Sequence, residues 1–301
     1  MVDRRADFLV TTDWLADHLD DPDVVVLDVT SKLTAQLDNS PGRALWEDEH
    51  LPGSQFLDVA SAKGALSDPD ADLPWMWPPP ERFADTLAAL GIGADARVVI
   101  TARTPRAGLD AGTMWCTRAW WTMHHYGVDC AILLGGLEQW IDEGRPVVSE
   151  RTPPRAAPDV AVRLDPDWDR GRALQADVLG VVERGGSCLL DALPASSFDG
   201  QRSDYGRPGH ITGAINTPFV DLVERETCGF VDTDTMCRVL QEALDAPRVV
   251  TYCGGAIAAT VPAFCLALLG HDDVSVYDGS LMEWAAKPDL PMETSGPAGA
   301  R

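Results

Sequence analysis

The stretch RVVTYCGGAIAAT, residues 248–260, starts as one kind of structure and ends as another. Its β-branched and aromatic opening reads as a strand buried on both faces. A cysteine closes the strand, two glycines follow, and small apolar residues lead into the helical run AIAATVPAFCLALLG, residues 256–270. Pro262 fits that helix only in its first turn. In open α/β sheets, ligands bind outside the carboxyl ends of strands, which is where this thiol stands. Successive backbone N–H groups in such a turn form an anion-binding concavity, and the positive end of the following helix dipole adds to it. The pattern makes Cys253 the candidate catalytic nucleophile. Gly254, Gly255, Ala256, Ile257, Ala258 and Ala259 become the loop that would hold its thiolate or persulfide, and the amide donors predict a depressed thiol pKa.

Working outward, the chain repeats itself. PRVVTYC (247–253) matches ARVVITA (96–102), and SCLLDAL (187–193) matches DVVVLDV (23–29). GHITGAINTPF (209–219) matches EHLPGSQFLDV (49–59), with His210 and Gly213 opposite His50 and Gly53. DGSLMEW (278–284) matches LGGLEQW (134–140). Chance similarity between apolar strands explains one such match, not four in the same order, so the chain is an internal duplication. Short buried strands alternate with amphipathic segments such as PPERFADTLAALGIG (79–93), which has proline near its start and glycine at its end. That alternation predicts α/β in both halves, each a parallel sheet with helices on both faces. A first domain over residues 1–145, a Pro- and Arg-rich linker over 146–159 and a second domain over 160–301 follow. Ala102 stands where Cys253 stands in the other copy. The thiol is therefore not demanded by the fold, and the first domain is expected to be non-catalytic.

Composition bounds the function classes. At 301 residues the chain is long enough for two cores, and 45% hydrophobic content with ten tryptophans supplies them. A formal net charge of −23 argues against a nucleic-acid groove or an anionic membrane surface as partner. No apolar run reaches the roughly 20 residues of a membrane span, and MVDRRADFLV lacks the apolar core of a secretory signal. Seven cysteines without CxxC or Cys/His spacing point to a reducing, cytoplasmic setting and to no structural metal. Cys116, Cys130, Cys188, Cys228, Cys237 and Cys265 read as small apolar packing residues. The matched places of His50 and His210 favour a structural hydrogen-bonding role in both copies. His124 and His125 read as helix surface.

The segments EHLPG, ALGIG, LGGLEQWIDEGRPV, YGRPGHITGAINTPF, VVTYCGG, LALLGH and YDGSLMEWAAKPDLPMET together resemble the tandem-domain rhodaneses, the thiosulfate and mercaptopyruvate sulfurtransferase family. The resemblance runs along nearly the whole chain. It implies two tandem rhodanese-like domains, a non-catalytic first one and a catalytic second one, with the active site at their interface. It also implies that Cys253 accepts a sulfane sulfur as a persulfide and passes it to a nucleophile, with no cofactor.

The chain departs from that family where donors are recognised. Thiosulfate-using members carry cations just after the cysteine, where this chain has Gly254 and Gly255, and an arginine where Ser197 stands. Mercaptopyruvate-using members have a loop serine supported by an aspartate and a histidine. Those places hold Gly255, Ala60 and Trp75, and the loop's later glycine and hydroxyl positions are Ala256 and Ala258. Each lost charge-assisted bond costs about 1.5–3 kcal/mol. Weak thiosulfate turnover and an organic donor are expected. Trp75 and Trp77 are candidate apolar walls for it, and Arg103, Arg106, Arg202 and Arg207 are candidate replacement cations. Two other readings stand beside this one: a repurposed rhodanese-fold enzyme acting on a bulky or non-sulfur substrate, and a non-catalytic binding module. The expected partners are a small-molecule donor and a nucleophilic acceptor.

Overall fold

Ten short strands build two five-stranded parallel sheets, and the two sheets have the same order. The computed structural model describes residues 4–33, 39–104, 112–150, 152–153, 155–156 and 159–295. In the first sheet the strands are β1 (Leu9–Val10), β2 (Val24–Asp28), β3 (Gln55–Phe56), β4 (Arg97–Thr101) and β5 (Asp129–Leu133), arranged β1-β5-β4-β2-β3. In the second they are β6 (Arg172–Ala173), β7 (Cys188–Asp191), β8 (Ile215–Asn216), β9 (Val249–Tyr252) and β10 (Val274–Tyr277), arranged β6-β10-β9-β7-β8. Replacing each strand by its counterpart five places on turns one order into the other. The duplication read from four sequence matches is a duplication of topology.

The central strands carry unbroken apolar runs because both of their faces are covered. Val98, Val99 and Ile100 of β4 and Val249 and Val250 of β9 have no exposed surface. Each such side chain contributes about 1.5–3 kcal/mol of burial free energy before chain entropy is subtracted. The helices fall where the punctuation places them. One spans Pro80–Ala89 with proline at its first position. Another spans Thr260–Leu268, with Pro262 in its first turn. Gly91 ends the Pro80–Ala89 helix at φ +68°, and a side chain there would strike the backbone of Ala156.

The helix Gly112–His125 differs from expectation. His125 is buried against Trp121, with ring centroids 4.5 Å apart, and His124 stacks on Trp120 at 4.4 Å. The helix is covered on nearly all sides, so its histidines are packing residues rather than helix surface.

Two compact units emerge. Among the described residues, one comprises Arg4–Trp168 with Val223–Phe230, and the other Asp169–Leu222 with the residues from Val231 to Ser295. The division falls at Trp168, beyond the linker expected at 146–159. Residues after that linker are held to the first unit: Ala94 N–H donates to Val160 O at 3.0 Å, and Trp168 stacks on Tyr126 at 4.8 Å. No helix among the described residues is long and apolar enough to cross a membrane.

Candidate active site

β9 pairs with β7 on one side and β10 on the other, in a register that sets Tyr252 beside Asp191. The chain therefore leaves the sheet at Cys253 with both neighbours already ending. The turn that follows is tied down from several directions. Leu281 N–H donates to Cys253 O and Met282 N–H to Gly254 O, each at 3.0 Å. Thr251 Oγ1 donates to Ala259 O at 3.0 Å, and Thr260 Oγ1 to Ile257 O at 2.7 Å. With those carbonyls engaged, the backbone N–H groups of Ala259, Gly255 and Ile257 are left to act on the Cys253 sulfur and favour its anion.

Ser280 holds the cradle's rim. Its Oγ accepts from Cys253 N–H at 3.3 Å and Ala256 N–H at 3.1 Å, and donates to Tyr277 O at 2.8 Å. It is fully buried and has φ +48°. Sequence reasoning passed over it, although its counterpart in the LGGLEQW match is Gly136, a difference that tracks the one between Cys253 and Ala102.

The expected depression of the Cys253 pKa is corrected. Burial pushes the thiol above its ordinary range, the three backbone N–H groups pull it part of the way back, and the nearby Asp191 carboxylate pushes it up again. Only 3% of Cys253 is exposed, so desolvation of the thiolate outweighs the donors. Asp191 itself is pushed up to about 6 by burial, against the lowering effect of the Leu193 N–H that donates to it at 2.8 Å.

A second residue at the site was also missed. Tyr205, in the irregular segment before His210, lies directly on Gly254: a side chain on residue 254 would run into the hydroxyl end of the phenol ring. Burial, then the charge of Cys253, pushes the phenol pKa up, so it stays protonated. Among the described residues its hydroxyl has no hydrogen-bond partner. Of the candidate cations in this unit, Arg202 pairs with Asp204 at 2.6 Å with half of its side chain exposed, and it acts electrostatically on Tyr205. Arg207 is differently placed. Its guanidinium donates to the carbonyl oxygens of Leu290 and Lys287 at 2.8 Å, Trp284 at 3.1 Å and Ala285 at 3.2 Å, a wholly structural set of partners.

The matching place in the first unit shows what the fold does with Ala102 in place of the cysteine. Leu137 N–H donates to Ala102 O at 3.3 Å, as Leu281 does to Cys253. Gly136, with φ +59°, replaces Ser280, and the space is filled by Cys228. That thiol donates to Ala102 O at 3.2 Å and hydrogen-bonds Cys116. Residues 223–230 thus join the first unit by packing Cys228 against Gly136 and Ala102.

Of the other candidates there, Arg103 pairs with Glu49 at 3.1 Å. Arg106 lies outside the described residues. Trp77 is corrected as a pocket wall: it is 2% exposed and sits in an aromatic cluster with His125, Tyr126 and Trp168. Trp75 is half-buried with φ +59°, and its indole N–H donates to Ala60 O at 2.8 Å. The two positions where mercaptopyruvate-using members have their histidine and aspartate are therefore neighbours. The structural reading of the matched histidines holds. Nδ1 of His50 meets Trp46 O at 2.5 Å and Nδ1 of His210 meets Phe198 O at 2.8 Å, each ring stacked on the same residue's side chain.

Ala256 occupies the cradle at φ +59°, a left-handed conformation that an alanine adopts only at a cost. Ala256→Gly is expected to raise stability by about 0.5–1 kcal/mol, after allowing for the looser unfolded chain. Chemical denaturation compared with wild type measures it, and a destabilised variant would show that the methyl group's packing outweighs the strain.

The two sheets of the same order define a duplicated α/β protein, with a buried cysteine at the end of a central strand in its second copy. Comparison with known proteins places it more closely. The Rhodanese-like domain matches residues 11–143 and again 175–287, and the chain belongs to the rhodanese family. It is 32% identical over 302 residues to a 3-mercaptopyruvate sulfurtransferase of Escherichia coli K12, covering 95% of this chain and 98% of that protein. It is 30% identical to the 3-mercaptopyruvate sulfurtransferase of Homo sapiens, covering 93% of each. The crystal structure of SseA from Escherichia coli, a 3-mercaptopyruvate sulfurtransferase, superposes with a TM-score of 0.77 at 28% identity over 91% of this chain and 98% of that one. EanB in complex with hercynine shares the fold, with a TM-score of 0.83 at 21% identity over 98% of this chain and 70% of that one.

Proposed function

We propose that this chain is a sulfurtransferase that carries sulfane sulfur as a persulfide on Cys253, taking it from an organic donor in the cytoplasm. The observation that carries the reading is the trio of backbone N–H groups from Gly255, Ile257 and Ala259 on the Cys253 sulfur. The Cys253 thiolate attacks the donor's outer sulfur. A new S–S bond forms at Cys253 as the donor's bond to that sulfur breaks, and the electron pair leaves with the rest of the donor. A nucleophilic acceptor then attacks the outer sulfur of the persulfide and restores the thiolate, in ping-pong order. The cradle suits both anions, because amide donors at a turn follow the charge from Sγ to the terminal sulfur without a counter-ion.

The organic character of the donor rests on what the loop lacks. Gly254 and Gly255 supply no cation, and Arg207 is committed to backbone carbonyls. A small, strongly hydrated dianion such as thiosulfate would lose water without gaining an ion pair. The test is mass spectrometry after incubation with sulfane donors. Wild type is expected to gain one sulfur on Cys253, and Cys253→Ala to gain none and to lose all turnover. Full activity in the alanine variant would sink the reading.

A further inference from the structure

We infer that Tyr205 sets donor choice at Cys253: its phenol occupies the space that a residue-254 side chain would take and offers a neutral hydrogen bond to an organic thiolate leaving group. This rests on the persulfide reading of Cys253 and specifies its substrate class.

The first support is steric. The absent side chain at 254 and the phenol at 205 are one feature, since any Cβ on residue 254 would collide with the ring and its hydroxyl. A loop that admits this phenol cannot also extend a cationic side chain from the residue after the cysteine. The second is an unspent donor. The hydroxyl has no protein partner among the described residues, whereas Ser280 Oγ at the rim is matched by two N–H groups and one carbonyl. The third is charge. Burial and the neighbouring thiolate keep the phenol protonated, so it acts as a donor and not as a base.

The chemistry follows. For an organic persulfide R–S–SH, Cys253–S⁻ attacks the outer sulfur. The Cys253 S–S bond forms, the donor's S–S bond breaks, and the products are Cys253–S–SH and R–S⁻. One negative charge enters and one leaves. It departs on a soft, weakly hydrated sulfur that a single neutral O–H can accompany, with the phenol keeping its proton. From thiosulfate the departing group is sulfite, with its charge spread over three strongly hydrated oxygens, and one neutral donor does not replace the water it loses.

The experiment measures sulfur uptake on Cys253 from glutathione persulfide and from thiosulfate, in wild type, Tyr205→Phe, Gly254→Arg and the double variant Tyr205→Ala with Gly254→Arg. Phenylalanine keeps the ring, so Tyr205→Phe is expected to melt with wild type. Its rate with glutathione persulfide should fall about tenfold, the worth of one neutral hydrogen bond, while its thiosulfate rate holds. The double variant should take thiosulfate at least about tenfold faster than Gly254→Arg alone, because only there does the arginine have room. A donor ratio unchanged in Tyr205→Phe, or a double variant no better than Gly254→Arg, overturns the inference while wild type still gains sulfur. No sulfur on wild-type Cys253 from either compound fells the persulfide reading itself, and is seen without any variant.

Discussion

Ser280→Ala is expected to slow sulfur uptake at Cys253 about a hundredfold and to destabilise the second unit by about 2–4 kcal/mol. The N–H groups of Cys253 and Ala256 both donate to Ser280 Oγ, which itself donates to Tyr277 O. Removing that oxygen takes the Ser280 partner from two donors and one acceptor in a place with no exposed surface. Each stranded group costs about 1–3 kcal/mol unless water or a backbone shift rescues it. A backbone shift is the damaging rescue, because the same turn aims the Gly255, Ile257 and Ala259 amides at the sulfur. Ser280 also sits at φ +48°, so a companion variant separates two effects. Ser280→Gly loses the hydroxyl but relieves the strain, as Gly136 does at the matching place in the first unit. It should recover part of the lost stability and none of the lost rate. Denaturant titration and single-turnover sulfur uptake on both variants decide it. Wild-type rates in Ser280→Ala would mean that the cradle holds its shape without the rim.

The fate of Ser280 shows where the sequence is legible. The duplication, the parallel sheets and the helix positions could be read because they rest on periodicity, punctuation and four repeated segments. Each of these is a local signal checked by a second copy. The place of Cys253 just after a buried strand was legible for the same reason, with Ala102 as its counterpart in the other copy. Ser280 lay in one of the quoted matches, but what it does depends on a contact with a loop 27 residues away. Tyr205 lies in an irregular stretch with no periodicity, and its meaning comes only from the glycine it covers. Arg207 looked like a free cation because sequence does not show which carbonyls surround a guanidinium. Residues 223–230 read as part of the second domain, whereas they belong to the first unit, where Cys228 packs against Gly136. The pKa of Cys253 failed in the same way: donors can be counted from a glycine turn, but burial is a property of everything packed around it.

That last correction has a measurable consequence. Sulfur uptake by Cys253 is expected to rise about tenfold per pH unit between pH 7 and 9, where an ordinary thiol near pKa 8.5 is already levelling. The thiolate is the attacking species, and below the pKa its fraction grows tenfold per unit. Burial has moved that pKa up, so the rising limb extends further. Tyr205 does not bend the curve, because its own pKa is pushed upward and it stays protonated across this window. Stability does not bend it either. Asp28 and Asp191, at the ends of β2 and β7, are raised from 3.8 to about 6 by burial. The folded state therefore binds more protons than the unfolded chain between about pH 4 and 6, and these two groups lower stability as pH climbs through that window and leave it level above pH 7. Asp191 also adds like charge beside the thiolate. Asp191→Asn keeps an acceptor for Leu193 N–H while removing that charge, and should move the rising limb toward lower pH. The measurement is the rate of Cys253 persulfide formation, or of its alkylation, from pH 6 to 10 in both proteins. A profile already flat at pH 7 would mean that the three amides outweigh burial after all, and that the thiolate is the resting state.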